Sequence, residues 1–361
     1  MTLRVSVVAT ERALSRPASN ARSAWHTRSG CTVTLESDSG HSGSGEAVPL
    51  PGFSPDTLAD CQRALRDFDP GSTPSALGLG MSVIDELRTA SSALWRTPAA
   101  RAALECALLD LWARAAGTPA WALLLEEGAP HPRPRRVATL LMGEPETALA
   151  EAQQAYARGV RTFKLKVGRR AALDRELAAL GLLRAELGSG VALRLDGNQS
   201  FSLHESLEAL PRFAAHDPEL IEEPCALPDL PRLTGLRVPL ALDESLAGIL
   251  DPEARLDELD ALRLKALVLK PSLIGGISTC FAWARVAREL DAEVILSHAF
   301  EGPIGLASSA ALALSIGSER LAQGLDLHGA RLEHLHLPFF SGAQIEPWSE
   351  PGFGNLVEHG A

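Results

Sequence analysis

In the segment TFKLKVG, residues 162–168, Phe163, Leu165 and Val167 alternate with Lys164 and Lys166. That is the two-residue period of a strand, and it puts both lysines on one face. Similar short apolar segments lie on either side. They are VATLLMG at 137–143, ALRLDGN at 192–198, ELIEEP at 219–224, LALDES at 240–245, ALVLKPS at 266–272, EVILSHAF at 293–300 and RLAQGLDL at 320–327, with Ala- and Leu-rich helical stretches between them. Eight strands alternating with helices predict a parallel barrel. Lys164, Asp196, Glu222, Asp243, Lys270 and Ser297 stand at or near the ends of successive segments, 21 to 32 residues apart, a spacing that fits one strand–helix unit each. A barrel interior is filled by apolar side chains, so ionisable residues recurring at strand ends predict a catalytic mouth on that face.

Ahead of Val137, the segments LRVSVVAT at 3–10, CTVTLES at 31–37 and GSGEAVPL at 43–50 alternate as strands. Helices are expected over 55–67, with Ser54 as N-cap, over 98–115, and at ALLLEEG, 122–128. The Pro-rich APHPRPRR at 129–136 reads as a linker. The expected class is α/β: a modified TIM barrel of (β/α)7β type over 129–335, an α+β capping domain over 1–128, and a C-terminal segment, 336–361, that returns to the capping domain. A chain of 361 residues holds such a barrel, which needs about 250, and leaves roughly a hundred for the cap.

The net charge of −11 and the absence of a Lys/Arg run argue against a nucleic-acid partner. Cys31, Cys61, Cys106, Cys225 and Cys280 are odd in number, scattered and without CxxC spacing, the usage expected of reduced thiols. The N-terminus has a five-residue apolar run bounded by charge, unlike a secretion signal, and no segment approaches the ~20 apolar residues of a membrane span. A cytoplasmic protein with no membrane partner is expected, its oligomeric state left open.

Asp196, Glu222 and Asp243 end three consecutive segments, which would gather three carboxylates on one side of the mouth. Hard oxygen donors without nearby Cys favour Mg²⁺, or Mn²⁺ in its place, over zinc. Asn198, two residues past Asp196, would supply a further oxygen or a supporting hydrogen bond. Periodicity does not choose between Glu222 and Glu223, or between Asp243 and Glu244, because a shift of one residue exchanges the faces. Lys164 and Lys166 repel each other, which lowers a lysine's pKa toward the range of a general base. Lys270 would face them across the mouth. A cation holding a substrate carboxylate beside a lysine base is a known solution for removing the proton α to that carboxylate.

KxK in TFKLKVG, RLDGN, IEEP, ALDES and LKPSLIGG together resemble the enolase superfamily, muconate-lactonizing-enzyme subgroup, over nearly the whole chain. EAVPLPGFSPDT at 46–57, ILSHAFEGPIGLA at 295–307 and QGLDL at 323–327 resemble the o-succinylbenzoate synthases within it. The resemblance implies Asp196, Glu222 and Asp243 as metal ligands, Lys166 as general base, Lys164 as its electrostatic neighbour and Lys270 as the cation that stabilises the intermediate. It also implies substrate contacts from Ser297 and Gly324, while Arg194, two residues before Asp196, would sit in the same mouth. The implied reaction is dehydration of a cyclohexadiene carboxylate, a small-molecule carboxylate substrate, on the way to menaquinone. Racemisation of an N-acylamino acid or epimerisation of a dipeptide would use the same lysines, and an inert barrel used for binding is the non-enzymatic alternative. His298 occupies the position of the base in mandelate-racemase-like relatives, but there an Asp on the preceding strand orients it, whereas here that strand offers Lys270. The loop carrying Arg22, Trp25 and His26 is a candidate lid, and His334 and His336 read as surface or packing residues.

Overall fold

The computed structural model describes residues 3–19, 24–72, 78–169, 171–233, 235, 237–249, 251–327 and 336–356; Arg22 and His334 lie outside these. Strands β1 (Leu3–Ser19), β2 (Ala24–Ser37) and β3 (Ser42–Ala47) form an antiparallel sheet in the order β1-β2-β3. The alternation is real on β2, where Cys31, Val33 and Leu35 are fully buried. They face the helices α1 (Leu58–Arg66) and α3 (Pro98–Ala115), while α2 (Met81–Ala90) and α4 (Ala120–Leu123) pack on α3.

Helix α3 is buried nearly all round, as expected of a helix between two layers. Gly45 permits the sheet to lie on it: a Cβ there would come 1.8 Å from the Ala103 carbonyl oxygen. Glu105 on α3, fully buried, accepts from Ser91 Oγ at 2.6 Å, from Ser278 N at 2.8 Å and from Arg101 Nε at 3.1 Å. This buried network ties the cap to a barrel helix.

Three local expectations are corrected. The first helix starts at Leu58, not near 55, because Thr57 and Asp60 form a reciprocal capping box while Ser54 Oγ accepts from Leu50 N at 2.7 Å in the preceding turn. The helix expected at 122–128 is instead the single turn of α4, packed by Trp121, whose indole donates to the Trp348 carbonyl at 2.9 Å. Trp25 and His26 lie on β2 rather than in a loop, since the β1–β2 ribbon extends to Ser19 and Ala24.

A two-residue strand β4 (Arg135–Arg136) leads into the barrel, whose parallel strands are β5 (Ala138–Leu141), β6 (Thr162–Lys166), β7 (Ala192–Asp196), β8 (Leu220–Glu222), β9 (Leu240–Leu242), β10 (Ala266–Leu269) and β11 (Glu293–Leu296). Their spatial order is sequential. The eighth expected strand is reduced to two parallel bridges, Ser297↔Gly324 and Val137↔Gln323, which close the ring between β11 and β5. Gln323 Oε1 takes the Leu296 N–H at 2.7 Å, so a side-chain amide replaces part of a ladder. Helices α5 (Ala148–Ala157), α6 (Leu173–Leu187), α7 (Leu203–Ala214), α8 (Leu256–Asp260), α9 (Pro271–Ile274), α10 (Ile277–Glu289) and α11 (Pro303–Ile316) follow the strands, except between β8 and β9, where Leu227–Leu233 makes 3₁₀ turns. The chain then returns to the cap: β12 (Gln344–Ile345) pairs with β4, and Ala120 N donates to the Gly352 carbonyl at 2.8 Å.

Among the described residues no helix is long and apolar enough to cross a membrane. All five cysteines are buried and free. Inside the ring, Leu220, Ala241, Ala266, Val268, Ile295 and Leu321 form an apolar plug. The chemistry sits just above it, because Glu222, Asp243, Lys270 and Ser297 each stand two residues beyond an inward member of that plug and therefore share its face.

Candidate active site

One cavity at the C-terminal end of the strands joins barrel and cap. It is lined by Lys164, Lys166, Arg194, Asp196, Asn198, Glu222, Lys270, Ser297 and Gly324 from the barrel ring, with His298, Ala299 and Phe300 beyond β11. Trp25, Leu50 and Phe53 close it from the cap.

The charges are buried and interlocked. Lys164 Nζ lies 2.7 Å from Glu222 Oε2 and 3.0 Å from Asp196 Oδ2, and the Lys270 ammonium pairs with Asp243. Burial opposes charge on Lys164, but the carboxylates of Asp196, Glu222 and Asp243 outweigh it and hold the ammonium well above the ordinary lysine value. Burial likewise opposes charge on Lys270, yet Asp243 raises it overall. Lys166 goes the other way: burial, helped by the neighbouring Lys164 and Lys270 charges and resisted by Asp196, brings it down to about 8. Of the three lysines it is the one poised to exchange a proton near neutral pH.

Periodicity left two carboxylate pairs undecided, and the structure separates their members. Glu222 and Asp243 face the lysines, while Glu223 is spent on the following loop, accepting from Asp243 N and Ser245 N at 2.9 Å each. Glu244 accepts from Asn198 Nδ2 at 2.6 Å, and Asn198 N donates to Asp196 Oδ1 at 3.1 Å. Burial and the nearby Asp243 and Asp196 push Glu244 well above the usual carboxylate range.

This donor set suits a hard divalent cation. Asp196, Glu222 and Asp243 bring three buried carboxylates against the lysines, with Glu223 and Glu244 hydrogen-bonded behind them. Glu244 Oε2 is buried without a hydrogen-bond partner. Among the described residues no three His, Cys, Asp or Glu side chains converge on one point, because Lys164 and Lys270 hold the carboxylates apart in two groups.

The remaining predicted residues are placed as follows. Arg194 lines the cavity floor, nearly fully buried, with Nε on Glu219 at 2.6 Å, Nη1 on the Ala322 carbonyl at 2.8 Å and Nη2 unpartnered. Ser297 Oγ reaches the Gly324 carbonyl at 3.3 Å. His298 Nδ1 accepts from Phe300 N and its Nε2 lies 3.1 Å from the Asp326 carbonyl, so the ring is neutral with both nitrogens engaged, and burial lowers its pKa further. His336 is exposed.

Sequence reasoning did not single out Leu140, Ile295 and Phe300 as cavity wall, nor Asp326. The Asp326 carboxylate accepts from Thr139 Oγ1, from Arg158 Nη2 at 2.9 Å and from its own neighbour's Leu327 N at 2.9 Å. Inward strand register could have flagged Ile295, two residues before Ser297. The same register could have flagged Asp326, two residues past Gly324 near the end of RLAQGLDL.

The Enolase C-terminal domain-like family model matches residues 147–359, and the Mandelate racemase / muconate lactonizing enzyme N-terminal domain model matches 2–124. The chain is 29% identical to a hydrophobic dipeptide epimerase of Roseobacter litoralis, covering 89% of this chain and 90% of that protein. It is 30% identical to an o-succinylbenzoate synthase of Desulfotalea psychrophila, covering 82% and 85%. A solved dipeptide epimerase of Enterococcus faecalis, complexed with Mg and the dipeptide L-Leu-L-Tyr, superposes with a TM-score of 0.83 at 22% identity over 98% of this chain and 99% of that one. With both domains matched and the ordered strand-end residues in one cavity, the chain belongs to the enolase superfamily.

Proposed function

We propose that this protein is an o-succinylbenzoate synthase, dehydrating 2-succinyl-6-hydroxy-2,4-cyclohexadiene-1-carboxylate to 2-succinylbenzoate. The observation that carries the reading is the distribution of charge in the cavity. Among the described residues the carboxylates that line it, Asp196 and Glu222, lie at the lysine end; the rest of the wall is largely apolar, with Ala138, Leu140, Ile295, Ala299, Phe300 and Trp25, and its polar groups, Arg194, Asn198, Ser297 and His298, include no further acid. A dipeptide brings an ammonium group that needs an acidic partner when buried. Asp326, the acid nearest the Gly324 wall in sequence, is already neutralised by Arg158. A ring carrying a succinyl chain has no such ammonium to satisfy.

Asp196, Glu222 and Asp243 would hold the cation, Mg²⁺ or Mn²⁺, with Asn198 fixing Asp196 and Glu244 behind them. When bound, the cation supplies fixed positive charge beside the substrate carboxylate. Lys166, whose lowered pKa of about 8 gives it a neutral fraction near physiological pH, removes the proton α to that carboxylate. Lys164 stays charged between Asp196 and Glu222 and helps to lower the pKa of Lys166. Lys270 directly follows β10, four strands from β6 in the closed ring, and so presents its charge from the opposite wall. The Lys166 ammonium returns its proton to the departing hydroxyl, water leaves, and the ring becomes aromatic. Ser297, Gly324 and Arg194 border the space for the succinyl chain and ring. Cap residues Leu50 and Phe53 exclude water.

The second reading is 1,1-proton transfer on a dipeptide or an N-acylamino acid, favoured by the epimerase relatives and by lysines on opposite walls. The two readings differ in how many lysines exchange protons. Incubating N-succinylamino acid enantiomers in D₂O with Lys166→Ala and Lys270→Ala separates them: a dehydratase requires proton transfer by Lys166 alone. Efficient exchange by each lysine on its own enantiomer, with the cyclohexadiene left unconsumed by the wild type, would replace the synthase reading by the racemase one.

A further inference from the structure

The wall formed by His298, Ala299 and Phe300 does not hold its shape unaided. Phe300 has φ +62°, the left-handed region that a bulky L side chain avoids. Its N–H is turned onto His298 Nδ1 at 3.1 Å, and its ring forms an apolar cluster with Leu14, Trp25, Leu140 and Met142 while lining the cavity.

What secures this conformation comes from the cap. Arg12 on β1 sends Nη2 to the carbonyl oxygens of both Phe300, at 3.0 Å, and Glu301, at 2.6 Å. Leu14, two residues on and hence on the same face of the strand, packs against the Phe300 ring. Glu46 on β3 accepts from Gly305 N at 2.9 Å in the first turn of α11. Gly302 lets the pair close around the loop, since a Cβ there would come 2.1 Å from Glu46 Oε1 and 2.6 Å from Arg12 Nη1. From the barrel side, Glu301 accepts from Ala299 N at 2.6 Å and from Ser272 Oγ. Arg12 also faces Arg28 across the β1–β2 ladder, a like-charge pairing that a sheet tolerates only with compensation. Glu46 and Glu301 supply it.

We propose that Arg12 is a positioning residue of the active site: by holding two consecutive carbonyls it keeps Phe300 in its strained conformation, and so makes the fit of substrate against the cavity wall depend on docking of the cap. The inference rests on the reading of this cavity as the substrate site, not on which substrate fills it.

The test compares wild type with Arg12→Met, Arg12→Lys and, as a surface control on the same strand, Arg4→Met, whose partner Glu36 is half exposed. Hydrogen–deuterium exchange is read over 298–305 and over β11, with KM and kcat for the cyclohexadiene measured alongside. In Arg12→Met the loop amides should exchange about tenfold faster or more while β11 is unchanged. KM should rise about tenfold with a smaller change in kcat, and the melting temperature should stay near that of Arg4→Met. Arg12→Lys, which keeps the charge but not the two-carbonyl fork, should fall between, and it carries the test if the methionine variant does not fold. Unchanged loop exchange, or faster exchange with unchanged KM, overturns the proposal. Failure of the wild type to consume the diene would instead count against the synthase reading, and the exchange measurement would still decide whether Arg12 holds the loop.

Discussion

The Lys270 ammonium rests 5.2 Å from the centroid of the Phe53 ring, so a residue of the cap stands against a buried charge of the barrel. Such a contact contributes ~0.5–2 kcal/mol, more as water is excluded. Phe53→Leu, which keeps apolar bulk but loses the ring face, should lower kcat/KM by about 3- to 30-fold with little change in stability. Steady-state kinetics beside a melting curve would check it; a wild-type kcat/KM would remove Phe53 from the site.

Asp196→Asn, Glu222→Gln and Asp243→Asn should each lower turnover by at least ~100-fold and weaken Mg²⁺ binding, since each removes an anionic oxygen donor. Titration calorimetry reads the affinity directly. In the wild type, Mg²⁺ at about 100 times its Kd should stabilise the fold by about 2.7 kcal/mol, and a chelator should reverse this. A variant that binds the ion normally would transfer its role to Glu223 or Glu244.

The pH dependence follows from Lys166, lowered to about 8 by burial and by its lysine neighbours. A base must be neutral, so kcat/KM should rise about tenfold per pH unit below that value and level off above it. Lys166→Arg keeps the charge but cannot lose it in this range, and should remove the rising limb together with the activity. A profile that falls with rising pH across the same interval would exclude Lys166 as the base.

The barrel was legible in the sequence because its strands are short, apolar and punctuated by charges at a regular spacing, and because a strand's period of two fixes which residues share a face. That is why Lys164 with Lys166, and Arg194 with Asp196, could be assigned together to the mouth. The period could not choose between Glu222 and Glu223. Their separation depends on Lys164 reaching across from β6 and on Ser245 taking the other carboxylate. The eighth strand was overread: RLAQGLDL is apolar enough for a strand, but Gln323 spends its side chain on the neighbouring backbone and only two residues bridge. The Ser54 cap failed for a similar reason, with the hydroxyl engaged by the turn before it. The grip of Arg12 on Phe300 and Glu301 links residues nearly three hundred positions apart, and local patterning carries no trace of such a contact.

Most direct is an assay of the purified wild type with Mg²⁺ on the succinyl-hydroxycyclohexadiene carboxylate, followed by loss of the diene and appearance of the aromatic product, beside a panel of hydrophobic dipeptides and N-succinylamino acids followed by chirality. Among the described residues the cavity offers an ammonium group no acid beyond Asp196 and Glu222, which pair with Lys164, and this predicts rapid conversion of the diene and no epimerisation of the dipeptides. Efficient dipeptide epimerisation with the diene left intact would contradict it.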